Sequence, residues 1–274
     1  MLKSATIRNG GGRGGDRGGA DRAAGAKPAA VKPSAGGKPT QVKATPEMGA
    51  AERPSPENAN PEKAARERVV TRDPEATRAA ILAAATEEFA AHGLGGARVD
   101  RIADRAGINK RMLYYYFGQK EDLFLAVLEQ AYENIRGEER KLNLTQVEPI
   151  EAIRRLVGFT WDYYLEHPSF LNLLNSENLH RASHLRRSAK VRSLHSPFVA
   201  TIAEVLERGV RMGLFRAGVD PIQLYISIAG ISYFYLGNAH TLSTIFDRDL
   251  LAPKAKLERL SHMTDVILGY LVRN

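Results

Sequence analysis

The chain has 274 residues, with 39 Lys and Arg against 31 Asp and Glu (formal net charge +8) and no cysteine. Such a length allows one or two folded domains with a sizeable core. The missing cysteine excludes a disulfide framework, thiolate metal sites, iron–sulfur ligation and a cysteine nucleophile, and it fits a reducing cytoplasm.

Residues 1–70 hold 11 Gly and 7 Pro, and every Trp, Tyr and Phe of the chain lies after them. A segment of this kind cannot bury enough apolar surface to offset its ordering entropy, so a disordered tail is expected. Its start is polar, small and basic, without a signal peptide's apolar core. The tail carries 13 basic and 7 acidic residues, which leaves only +2 for the remainder. The stretch from Gly10 to Gly19 resembles the Arg-Gly-Gly repeats of RNA-binding proteins but lacks their interleaved aromatics. A solvated linker with weak attraction to polyanions is favoured, and non-specific RNA binding through the tail is the alternative function.

From Asp73 onward the apolar spacing is helical. Asp73 reads as an N-cap with Pro74 at the first helical position. Ile81, Leu82, Ala85 and Phe89 then share a face until His92 and Gly93 end the helix. Ile102, Ala103, Ala106, Gly107, Ile108 and Leu113 come next, at the spacing of a helix-turn-helix. Gly107 can take the positive φ of a tight corner, Asn109 is a good N-cap, and Ile102, Ile108 and Leu113 fill a small core. The second helix of such a pair enters the major groove N-terminus first. Lys110 and Arg111 occupy its first turn, against the helix dipole, as a helix aimed at phosphates or guanine edges would keep them. Tyr114, Tyr115 and Tyr116 fan around it at about 100° steps. Some of these can donate to phosphate oxygens. Packing against neighbouring helices is the other reading of the tyrosines, and simple solvation that of the two cations.

The order Phe89-Ala90-Ala91-His92-Gly93, then Ile102-Ala103-Asp104-Arg105-Ala106-Gly107-Ile108, then Leu113-Tyr114-Tyr115-Tyr116-Phe117-Gly118-Gln119-Lys120-Glu121-Asp122-Leu123 resembles the N-terminal domain of the tetracycline-repressor (TetR) family without a gap over about 75–135. This resemblance implies an all-α fold, with a three-helix DNA-binding domain joined to a larger helical domain that binds an effector and dimerises. The corresponding boundaries are 1–70 for the tail, 71–135 for the DNA-binding domain and 136–274 for the effector domain. By the same resemblance Arg98, Val99, Asn109, Lys110, Arg111, Tyr114, Tyr115 and Tyr116 touch DNA. Lys120 meets a phosphate at the N-terminus of the following helix, where free N–H groups and the dipole favour an anion. Most members have Thr or Ser where this chain has Ala97 and Arg98. With the hydroxyl cap lost, Arg98 is expected to act as a direct phosphate ligand.

Leu123, Phe124, Val127, Leu128, Ala131, Tyr132 and Ile135 make the helix after Lys120 strongly amphipathic. Further helices are expected over 149–166, 169–179, 187–212, 221–242 and 253–272, with no alternating strands. The uncharged run 221–246 contains Gln223, Asn238 and His240 among other polar residues, too many for a membrane span. It is apolar nearly all round, so a second subunit is expected to cover part of it. Leu257, Leu260, Ile267, Leu268 and Leu271 give the last helix a stripe that would complete a two-fold four-helix interface. An effector pocket is harder to place. Trp161, Tyr164, Phe170, Leu174, Asn175, Asn178 and Tyr233 mix apolar and polar groups as small-molecule sites do. Glu177, His180 and His184 have zinc-suited spacing on a helix. The surrounding Arg181, Arg186, Arg187, Lys190 and Arg192 argue against a cation, and a solvated basic face, or one turned to an anionic effector, fits better.

No nucleophile elbow, phosphate-binding loop or dinucleotide fingerprint is present, so neither an enzyme nor a cofactor is expected. The expectation is a cytoplasmic homodimer, nucleoid-associated when bound to a double-stranded operator, that represses until a small molecule releases it.

Overall fold

A computed structural model describes residues 73–273, and the tail expected over 1–70 lies outside them. Helix α1 (Pro74–Gly96) opens as the sequence suggests: the Asp73 carboxylate accepts the Glu75 N–H at 3.0 Å, and Pro74 supplies a preset φ. It turns Ile81, Leu82, Ala85 and Phe89 inward. At Gly93 the backbone leaves the helix (φ 64°, ψ 174°), a conformation that costs a side chain dearly, and the last turn swings Leu94 into the core.

Helices α2 (Val99–Ala106), α3 (Lys110–Phe117) and α4 (Lys120–Lys141) complete the N-terminal bundle. Ile102, Leu113, Leu123, Phe124 and Leu128 are fully buried among them, with the rings of Phe89 and Phe124 edge to face at 5.0 Å. Each such side chain contributes about 1.5–3 kcal/mol of transfer free energy.

Helices α5 (Pro149–Glu166), α6 (Pro168–Leu179), α7 (Ala189–Arg211), α8 (Pro221–Gly237), α9 (Ala239–Ile245) and α10 (Pro253–Leu271) follow. Four of these six start with proline at the first position, where the missing N–H is no loss. A core of Leu156, Trp161, Ile202, Val205, Leu224, Ile228 and Met263 joins α5, α7, α8 and α10. Ile135, Tyr163, Tyr164, Phe170 and Leu171 form a second cluster where α4, α5 and α6 meet. Among the described residues the only β pairing is an isolated bridge between Phe215 and Val272. The protein is all-α.

Three expectations need correction. The helix expected over 221–242 stops at Gly237: Asn238 takes φ −116°, ψ 11°, its amide donates to the Phe234 carbonyl, and α9 restarts at Ala239. The last-helix stripe is not one outward face, because Ile267, Leu268 and Leu271 serve the subunit's own core. Leu257, Val266 and Tyr270 are what α10 exposes. Finally, Glu177, His180 and His184 do not share a helix face. Helix α6 ends at Leu179, and Arg181 and Ala182 adopt left-handed φ of 55° and 56°.

Candidate nucleic-acid interface and effector-domain cavity

The corner between α2 and α3 is built by local chemistry. Gly107 sits in the left-handed region (φ 64°, ψ 37°), and the N–H of Ile108 reaches back to the Ala103 carbonyl at 3.0 Å. Asn109 then caps α3, its side-chain oxygen accepting the Met112 N–H at 2.9 Å. Leu113 and Phe117 anchor α3 inward, and the Arg78 guanidinium lies over the Phe117 ring at 5.0 Å. The opposite face is presented to solvent: Lys110, Arg111 and Tyr114 are exposed, and Tyr115 is 81% exposed. Tyr116 is half-buried against the bundle core, with its ring edge-on to that of Tyr115 at 5.5 Å.

Two of the cations are held by partners. Lys110 Nζ stands 2.9 Å from Asp100 Oδ1, and this hydrogen bond and charge raise the lysine pKa. Lys120, half-buried at the start of α4, donates to the Ala97 carbonyl at 3.3 Å, which brings its ammonium to the α1–α2 junction. Arg111 and Arg98 are exposed.

The missing hydroxyl at the start of α2 is answered by Glu88, which sequence reasoning missed. Its buried carboxylate accepts the Arg98 backbone N–H at 3.0 Å and an Arg101 guanidinium hydrogen at 3.3 Å. The only available signal was a charged residue on the inner face of α1, between Ala85 and Phe89. Val99, expected on DNA, has its side chain in the bundle core, which leaves its backbone at the start of α2 as the part open to a contact.

Residues of α6 and the loop after it fasten onto this bundle. The Leu94 N–H donates to Ser176 Oγ at 3.0 Å. The buried Glu177 accepts the N–H groups of His184 and Leu185, both at 2.9 Å, and its other oxygen lies 2.6 Å from His184 Nδ1. His184 packs edge-on against Phe124 at 5.3 Å. Glu177 and His184 are therefore buried hydrogen-bonding partners and not a solvated face. Among the described residues no group of three or more His, Asp or Glu side chains could hold a metal. Arg187 does reach Asp122 at 2.6 Å and holds that carboxyl below the usual carboxylate range, helped by the Gln119 N–H.

Several of the seven residues expected to form an effector pocket touch one another, but they do not line a common cavity. Trp161, Tyr164 and Phe170 are buried core, while Asn175 and Asn178 face solvent. The half-exposed Tyr233 donates its hydroxyl hydrogen to Asn175, the Asn178 amide is bonded to the Leu174 carbonyl, and Leu174 is half-buried against the Tyr163–Phe170 cluster. A cavity of about 320 Å³ lies instead between the end of α4, the Leu144–Gln146 turn and the first half of α7, with Arg136, Glu139, Arg140, Ser193, Pro197 and Phe198 on its walls. None of the seven lines it.

An outward, capped, cation-bearing helix on a glycine corner, beside a larger helical domain with its own cavity, defines a helix-turn-helix transcriptional regulator. The pattern for bacterial regulatory proteins of the tetR family matches residues 81–127, and that described as tetracyclin repressor-like, C-terminal domain, matches 149–267. The chain is 40% identical to the HTH-type transcriptional repressor NicS of Pseudomonas putida over 205 residues, 75% of this chain and 97% of that protein. It is 37% identical to the HTH-type transcriptional repressor SCO4008 of Streptomyces coelicolor, over 52% of this chain and 71% of that one. A crystal structure from the same organism, SCO4942, provisionally described as a transcriptional regulator, superposes with a TM-score of 0.55 at 26% identity, over 72% of this chain and 99% of that chain. The chain belongs to the TetR family and is a DNA-binding transcriptional regulator.

Proposed function

We propose that the protein is a homodimeric repressor that binds a pseudo-palindromic operator and is released from it by a small molecule. The observation that carries this reading is the α3 face, where Lys110, Arg111, Tyr114 and Tyr115 are exposed while Leu113 and Phe117 hold the helix to its bundle. Asn109, Tyr116 and Lys120 border that face, and Arg98 flanks it from the start of α2. In a dimer, two such helices enter successive major grooves about 34 Å apart.

The dimer is supported by what α8 and α10 leave uncovered. Ile222, Ile226 and Phe234 on α8 and Leu257 on α10 are at least half exposed. Together with Tyr233 the three α8 residues fall along one side of that helix, and apolar surface left uncovered in this way marks an association site. The interface is centred on these four α8 residues. The working division is a tail over 1–70, a DNA-binding domain over 71–135 and an effector and dimerisation domain over 136–274. The site of action is the cytoplasm, on the nucleoid. Among the described residues no helix is long and apolar enough to cross a membrane.

Release follows from coupling through α4, which runs from Lys120 beside the DNA-binding helices to the cavity at Arg136 and Glu139. An effector that prefers one arrangement of the two heads shifts the population away from the DNA-binding one, by no more than its differential affinity for the two. Selection of bound sequences from random duplex DNA tests the reading. A two-fold consensus is expected, whereas a featureless pool, or binding abolished by deleting residues 1–70, would overturn it in favour of the tail.

A further inference from the structure

We propose that the cavity between α4 and α7 binds a small organic carboxylate, and that Arg136 is the residue that recognises it. This rests on the ligand-released reading above and adds the chemistry of the ligand.

Arg136 is 1% exposed, yet it lines a cavity. Its guanidinium lies over the Phe198 ring at 4.2 Å and beside Tyr225, whose hydroxyl oxygen accepts Nη2–H at 2.7 Å. Nε and Nη1 have no hydrogen-bond partner. Nη1 is 2.5 Å from Glu139 Oε2, a charge contact without hydrogen-bond geometry, and Oε2 is itself unbonded. Buried polar groups are nearly always satisfied, and an unpaired charged donor is the most costly exception. Beside its ion contact with Glu139 and its bond to Tyr225, the guanidinium keeps buried hydrogen-bonding capacity at the wall of a cavity, and a ligand that reaches it there would supply the missing acceptor. Its planar fork matches the two oxygens of a carboxylate.

The charge balance points the same way. Burial pushes the Glu139 carboxyl up to about 8, against the lowering effect of Arg136 and Arg140. The shift favours the protonated form, which can donate to a carboxylate rather than repel it. His195, from α7, has its pKa lowered chiefly by burial, with Arg136 adding to this. The nearby Tyr132, Tyr164 and Tyr225 are all shifted upward by burial and stay un-ionised. Among the described residues, Glu139 is thus the one carboxylate on the cavity lining that faces Arg136 and Arg140, and burial weakens it as a counter-charge. Leu144, Leu194, Pro197 and Phe198 offer an apolar wall for the body of the ligand. At about 320 Å³ the space lies at the small end of the range for small-molecule sites. The planar fork of Arg136 and the small volume suit a compact carboxylate, and the test below separates it from a phosphate.

The position also explains how the ligand would be felt. Arg136 is on α4, whose first residue is Lys120, about 24 Å away along the helix. An anion held by Arg136 alters the contacts that join α4 to Tyr225 on α8 and Phe198 on α7, and so bears on the helix that carries the DNA-binding head.

Full-length protein should be melted against benzoate, phenylacetate, hexanoate and octanoate, and in parallel against their amides and phenyl phosphate. At least one acid should raise the melting temperature with concentration, and its amide should not. Arg136→Gln should weaken that acid by about tenfold or more, with Arg136→Lys between. The double variant Arg136→Met with Glu139→Gln removes the guanidinium and the titratable carboxyl together, keeps the core filled and should fold while losing the response. Amides as effective as acids, a stronger response to phenyl phosphate, an acid response that survives in the double variant, or no response to any acid would each overturn the assignment. An acid that stabilises the protein but leaves it on DNA would uphold the site while removing the release mechanism proposed above, so the two failures are distinguishable.

Discussion

Glu88 accepts the backbone N–H of Arg98 at 3.0 Å, across ten residues and from the preceding helix. A helix start needs an acceptor for its free N–H groups, and a hydroxyl from the cap residue is the common solution. Here the acceptor comes from α1, which frees residue 98 to carry a cation at the edge of the DNA-binding face.

Arg98→Ala should therefore leave folding intact and act on DNA. Removing one phosphate ligand from each protomer lowers the slope of log affinity against log salt by about 1.8 for the dimer, about 0.9 per contact, nearly equally for all sequences. Operator titrations between low and moderate salt measure it, and an unchanged slope would show that Arg98 does not reach a phosphate.

Glu88→Ala should act on folding. It leaves the Arg98 N–H without its acceptor and Arg101 without its partner, which costs about 1–3 kcal/mol in urea unfolding. Glu88→Gln, whose amide oxygen can still accept, should recover much of that loss.

Ile226→Glu and Phe234→Glu add charge to exposed apolar positions of α8. Both variants are expected to sediment as monomers with native helix content. Loss of the second half-site should lower operator affinity by about 100-fold or more. A dimer that persists in both would move the interface elsewhere.

Glu139 gives a pH signature. Its folded-state pKa is raised from the ordinary 4.5 to about 8 by burial. Between those values the folded protein holds a proton that the unfolded chain has released. Stability contributed by this group is therefore complete at low pH and falls as pH rises towards 8, by at most about 1.4 kcal/mol per unit. Glu139→Gln removes the dependence, so its melting temperature relative to the parent should climb from pH 5 to pH 8. A constant difference would mean that Glu139 is ionised throughout and paired with Arg136.

The helix-turn-helix was legible because its determinants are local. Gly107, Asn109 and Leu113 act on backbone and neighbours within a few residues, so their spacing alone specifies a capped helix on a tight corner with one apolar side. The uncovered apolar surface of α8 was legible for a related reason, since 221–246 holds more apolar positions than one subunit can bury. Partnerships between one element and another were not. Glu88 with Arg98, Glu177 with the backbone of His184, and Arg136 with Tyr225 depend on which helix faces meet, and periodicity shows only that a face exists. Arg136 falls in register with Leu128 and Tyr132, four residues apart along α4, so an inward charge was visible in principle. Only the packing of α4 against α7 and α8 decided that this charge would sit on the wall of a cavity with donors unspent.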